Sequence, residues 1–124
     1  MAGKSIVHSY FRALSTADGA LARSLFVEDG VIDDYRGGHR AGGDVIEKFI
    51  DARPPRTIEL LSDVLQEGPR LTVYAKMDYA DGRTATVRFL FTAPGDRIEH
   101  LCNSKIEFVP AELSATSPQP PVDA

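Results

Sequence analysis

The chain has 124 residues and a mass of 13.5 kDa, with 43% hydrophobic and 26% charged residues, a composition that describes one compact soluble domain. No apolar run approaches the roughly 20 residues that cross a bilayer, and the opening MAGKSIVHSYF lacks the apolar core of a signal peptide, so a cytoplasmic location and no membrane partner are expected. Fourteen basic residues against eighteen acidic ones, without a basic cluster, argue against nucleic acid, and the single Cys102 excludes an intramolecular disulfide.

In chain order, residues 4–16 follow the helical period, with Ile6, Tyr10 and Leu14 four apart and Val7 and Phe11 on the adjoining stripe. A short second helix is expected from Asp18, a good N-cap, to Phe26, with Leu21 and Leu25 as its inner edge. VIDDY, residues 31–35, reads as a short strand. The glycines of GGHRAGG, residues 37–43, read as permissive backbone in a turn: a phosphate loop needs Lys and Ser or Thr after its last glycine, and Asp44 would repel phosphate. Val45, Ile46, Phe49 and Ile50 then define a third helix that starts near Asp44 and stops before Pro54.

After Pro55 the period changes to two. Residues 57–67 are expected to form a strand, and Leu71, Val73, Ala75, Met77 and Tyr79 form the buried face of the next. Asp81-Gly82 suits a tight two-residue hairpin, Ala85, Val87, Phe89 and Phe91 alternate on the return, and a last strand covers residues 97–108. From Pro110 the chain holds four prolines and no aromatic residue, the composition of a disordered tail. Residues 1–109 are therefore read as the domain and 110–124 as the tail. Helices first and a meander afterwards is an α+β pattern: three N-terminal helices packed on a strongly curved, mostly antiparallel sheet, with an apolar pocket at its open end.

Three residues are candidates for chemistry. On the last strand Ile98, His100, Cys102, Ser104 and Ile106 form the more apolar side, which directs His100 and Ser104 inward, either as functional groups or as a core histidine with a satisfied hydrogen bond. If Ile32 points inward, so does Asp34, as an acid or base in an apolar cavity or as part of a turn. Tyr10 lies on the buried face of the first helix, as bulk or as an oxyanion donor. His8, His39 and His100 are too scattered for a metal motif, and no cofactor motif is present.

The run YFRALSTADGALARSLFVEDGVIDDYRGGHRAGGDVIEKFI, residues 10–50, resembles the opening of the SnoaL-like and ketosteroid isomerase branch of the nuclear transport factor 2-like superfamily, and the resemblance continues to about residue 108. It carries an aromatic first helix, LF followed by an acidic pair, an Asp after the first strand and a glycine before the third helix. The resemblance implies a cone-shaped fold with an apolar pocket for a small apolar ligand, a homodimer, and chemistry without a cofactor. It implies Asp34 as the proton-shuttling base and Tyr10 as the oxyanion tyrosine, the type of site for which ketosteroid isomerase is a general example. Aligning FLF of residues 89–91 puts Val87 where the isomerases carry a second acid. Valine cannot donate, so the implied reaction is a different one on the same scaffold, such as cyclisation, dehydration or epoxide hydrolysis, with His100 as an added polar group. The alternative is a noncatalytic binding or dimerisation module. Dimerisation is expected through an outer sheet face bearing Thr84, Thr86, Arg88, Glu99, Leu101, Asn103 and Lys105.

Overall fold

The computed structural model describes residues 3–35, 38–52, 57–79 and 81–107; the tail expected from residue 110 lies outside them. Helices α1 (Gly3–Thr16) and α2 (Gly19–Leu25) precede strands β1 (Phe26–Asp34) and β2 (Gly38–Ala41), and helix α3 (Gly43–Ala52) follows. Strands β3 (Thr57–Leu60), β4 (Leu65–Glu67), β5 (Arg70–Asp78), β6 (Thr84–Thr92) and β7 (Ile98–Ile106) come after it. They form one mixed, strongly curved sheet in the order β2-β1-β7-β6-β5-β3, with β4 also on β5 and with β1 parallel to β7.

The long hairpin pairs its inward residues directly: Leu71 with Phe91, Val73 with Phe89, Ala75 with Val87 and Met77 with Ala85, all buried. Helix α1 lays its apolar stripe across them. Phe11 and Phe89 meet edge to face with ring centroids 4.8 Å apart, and Tyr10 meets Phe91 at 5.5 Å, within the range where aromatic pairs add to simple burial. Asp18 caps α2 by accepting from the Leu21 amide at 3.0 Å. The expected inner edge of α2 is displaced by one step: Gly19 and Ala22 are buried, and Leu21 and Leu25 pack partly against the core. Close approach of α3 explains this, because the Gly19 amide donates to Asp51 Oδ1 at 2.8 Å and a Cβ there would strike the Glu47 carbonyl.

Four expectations about the sheet change. GGHRAGG contains a strand, since Gly38–Ala41 pairs antiparallel with Val31–Asp34. The strand expected over 57–67 is two strands, interrupted where the Leu61 amide and the Ser62 hydroxyl take the Tyr74 carbonyl and amide, and Val64 turns into the core. The hairpin loop is longer than two residues: Tyr79 N donates to Arg83 O, and only Gly82 among the described loop residues has positive φ, 91°. Finally, Phe89 pairs with Asn103 and Phe91 with Leu101, so Leu101, Asn103 and Lys105 face inward, while His100, Cys102, Ser104 and Ile106 face outward. The apolar count that favoured the other side rested on Ile98 and Ile106. Ile98 is buried at the start of the strand, where β1 is irregular between Phe26 and Val31.

Helix α1 ends with Ala17 at φ 55°, the left-handed conformation usual for glycine after a helix, while the Asp18 amide closes on the Ala13 carbonyl at 2.9 Å. Removing the Cβ relieves its clash with the backbone and exceeds the extra unfolded-state entropy of glycine. Ala17→Gly is expected to raise stability by about 0.5–1 kcal/mol, read from the urea midpoint.

Candidate functional site

Adjacent aspartates on β1 are separated by the sheet. Ile32 is fully buried and pairs with Leu101 on the inner side, so strand alternation directs Asp34 inward with it and turns Asp33 to the outer face. Tyr10 stands on the same inner side, fully buried, with ring contacts to Phe11, Phe26 and Phe91 at 5.5–6.2 Å. Its phenol is pushed far above its ordinary pKa, first by burial and then by the negative charge of Asp34. The hydroxyl therefore stays protonated at any physiological pH, as a permanent hydrogen-bond donor rather than a proton relay.

Tyr79, which follows the last residue of β5 and continues its alternation, lies at the rim of the sheet. There its hydroxyl lies 3.4 Å from that of Tyr35, and the two rings, with Arg83, Thr84, Ala85 and Lys105, line a cavity of about 160 Å³. Arg83 is committed to Asp81, with Nε 2.7 Å from Oδ2, and its guanidinium lies 5.8 Å from the Tyr79 ring centroid. Deeper on β7, Asn103 is 7% exposed and its Oδ1 has no hydrogen-bond partner among the described residues. Sequence reasoning missed Lys105 and Asn103 as inward groups because it inverted the faces of the last strand. Tyr79 was visible in the period-two pattern. A larger open groove of about 430 Å³ touches Arg23, Phe26, Glu28 and Arg97 elsewhere, and none of the candidate residues lines it.

His100 does not join Asp34 and Tyr10. It pairs with Thr92 on the outer face, and its Nε2 donates to Asp33 Oδ2 at 2.7 Å, while His39 Nδ1 donates to Asp33 Oδ1 at 2.5 Å. These hydrogen bonds, His100 first and His39 second, hold the Asp33 carboxyl below its ordinary pKa. Ser104 faces outward as well, 3.4 Å from Arg88 Nη2. Among the described residues no three His, Cys, Asp or Glu side chains are grouped to hold a metal ion, and no helix is long and apolar enough to cross a membrane.

A group whose folded pKa is depressed stabilises the fold above its unfolded value, about 3.9 for Asp, and loses that contribution as pH falls through the folded value. Asp33 is 41% exposed, so the effect is that of a surface pair, at most about 1 kcal/mol. Asp33→Asn is expected to lower stability at pH 6 by that amount and to flatten its decline below pH ~4, measured by denaturant melts across pH.

Comparison with known proteins agrees with the fold. The family model of the SnoaL-like domain matches residues 4–109. A crystal structure of a protein from Sphaerobacter thermophilus is 26% identical with a TM-score of 0.77, covering 87% of this chain and 99% of its own. At 16% identity, a nuclear transport factor 2-like protein of unknown function from Cytophaga hutchinsonii has a TM-score of 0.72, covering 86% of this chain and 91% of its own. A protein with a ketosteroid isomerase-like fold from Catenulispora acidiphila, solved in complex with trimethylamine, is 17% identical with a TM-score of 0.69, covering 82% of this chain and 85% of its own. These last two likenesses concern the fold alone. No curated protein matches the chain significantly.

Proposed function

The chain belongs to the SnoaL-like family of the nuclear transport factor 2-like superfamily, and on that premise we propose that it is a small cofactor-independent acid–base enzyme of the isomerase, cyclase or dehydratase type, acting on a small carbonyl compound. The observation that supports this reading best is placement: Ile32 is fully buried opposite Leu101, so alternation puts Asp34 on the same inner side of the sheet as the fully buried Tyr10. In such a reaction Asp34 removes a proton from the carbon beside the carbonyl, and a neutral donor stabilises the oxygen on which the enolate charge develops. In an isomerisation the same carboxyl then returns the proton to a different carbon. Tyr10 is assigned the donor role. His100, held to Asp33 on the opposite face, is left outside the substrate site, and the small cavity at the rim is lined by Tyr35, Tyr79 and Lys105 rather than by Asp34 or Tyr10.

A second reading has its own support. Phe11, Phe89, Phe91 and Tyr10 fill the interior beneath the mouth, as suits a noncatalytic binding or dimerisation module of the same fold. Deuterium wash-in from D₂O beside the carbonyl of a panel of small ketones and keto acids, followed by NMR, separates the two. Asp34→Asn keeps the shape and removes the base, so the exchange rate is expected to fall by about two to four orders of magnitude with folding intact. An unchanged rate in the variant moves the base elsewhere, and no exchange by the unaltered protein favours the module.

A homodimer through the outer sheet face is part of this proposal. Thr86, Arg88, Leu90, Cys102 and Ser104 are half-buried there, and Arg88 Nε is buried with no partner among the described residues, a group that a second copy can satisfy. Light scattering at high micromolar concentration is expected to give twice the chain mass; a monomer mass rejects the dimer.

A further inference from the structure

We propose that Asn103 is a substrate-binding residue of the inner site, and that its carboxamide oxygen selects a carbonyl compound bearing a hydroxyl group. The inference rests on the acid–base reading of that site and names its substrate class. Burial supplies the first argument. Tyrosines aside, Ser62 and Asn103 are the buried polar residues among those described, at 4% and 7% exposure. Ser62 is fully engaged: its hydroxyl donates to the Asp63 carbonyl at 3.0 Å and accepts from the Tyr74 amide at 3.0 Å. Asn103 Oδ1, by contrast, is buried with no hydrogen-bond partner among the described residues. Buried polar groups are ordinarily paired, and an orphaned one is costly. A leucine has the same branching and the same number of heavy atoms without that cost, and the neighbouring inward residues Leu101, Val87 and Phe89 are all apolar. The amide is therefore a group whose partner comes from outside the fold.

The second argument is position. Asn103 pairs with Phe89 on β6, whose ring centroid lies 4.8 Å from that of Phe11 and 6.4 Å from that of Tyr10. On the other side, Asp33 pairs with Cys102 in the parallel ladder of β1 and β7, so the next residues of the two strands, Asp34 and Asn103, stand side by side on the inner face. The carboxamide is thus a neutral polar group flanking the assigned base. The third argument is chemistry. An amide oxygen accepts, so its partner must donate. Phe89 and Leu101 have no side-chain donor, and an ionised Asp34 only accepts. Of the common donors, a neutral hydroxyl enters among the aromatic rings at a much lower desolvation cost than an ammonium. A hydroxyl on the carbon beside the carbonyl, held at Asn103, brings that carbon next to Asp34 on the adjoining strand. Asn103 acts here as a specificity residue, since it binds a part of the substrate that does not react.

The test uses acetoin and methyl isopropyl ketone, the same skeleton with a methyl group in place of the hydroxyl, titrated separately into the full chain and followed by amide chemical shifts. Acetoin is expected to bind about tenfold more tightly, with shifts centred on Asn103 and its carboxamide. Asn103→Leu is expected to cancel that preference to within about twofold and to raise the urea midpoint, because it removes an unpaired buried carbonyl. An amide that serves the fold alone, bridged by an internal water, gives the opposite pair of results: a lower midpoint in the variant and no preference in the unaltered protein. Equal binding of the two ketones by the unaltered protein, or binding of neither, overturns the proposal without requiring any variant to fold, and so do shifts centred on Tyr79 and Lys105 at the rim. Asp34→Asn distinguishes this proposal from the reading beneath it: the acetoin preference should persist while deuterium exchange is abolished. Acetoin preference without Asp34-dependent exchange retains the hydroxyl site and removes the catalysis. Asp34-dependent exchange without acetoin preference does the reverse.

Discussion

Edge-to-face packing of Tyr10 and Phe11 against Phe89 and Phe91 is the constraint on which the site depends. It seats α1 on the concave side of the long β5–β6 hairpin, and the hairpin sets the curvature to which β7 and then β1 must conform. Aromatic pairs at 4.8–5.5 Å tolerate little sliding, because the favourable geometry of a ring quadrupole is narrow and a close-packed interior has no spare volume. The same rings fill the base of the cone. What remains open is the rim, where Tyr79 just after β5, Thr84 at the start of β6 and Lys105 near the end of β7 line the small cavity.

The sheet also works as a partition. Asp33 and Asp34 are neighbours in sequence, and one residue of alternation gives them different surroundings. Asp33 accepts hydrogen bonds from two imidazoles at the outer surface, which favour its charged form. Asp34 faces a buried phenol on which its charge acts. A low-dielectric layer of side chains between the faces keeps the two environments apart, so an outer histidine cannot substitute for an inner acid or base.

The inner polar residues form a gradient along β7, from Lys105 at the rim through Asn103 to the fully buried Leu101. Val87, where the resemblance would put a second acid, is fully buried and pairs with Ala75 and Lys105, a position given over to packing.

Much of the architecture was legible in the sequence. Ile6, Tyr10 and Leu14 at helical spacing, Asp18 as a cap, and the alternation from Leu71 to Tyr79 and from Ala85 to Phe91 specify elements through local geometry and burial, so α1, α2, α3, β5 and β6 were readable from the chain. The order of acidic and aromatic residues over 10–50 identified the family, and Ile32 was read as inward, where it is fully buried. The facing of β7 was decided elsewhere. Its two sides differ little in hydrophobicity, and the choice rests on hydrogen-bond register with β6, which pairs Asn103 with Phe89 and Lys105 with Val87. Register is a long-range property: a shift of one residue exchanges every side chain between the faces. For that reason Lys105 could be assigned to the cavity, and His100 to Asp33, only once the strands were paired in three dimensions.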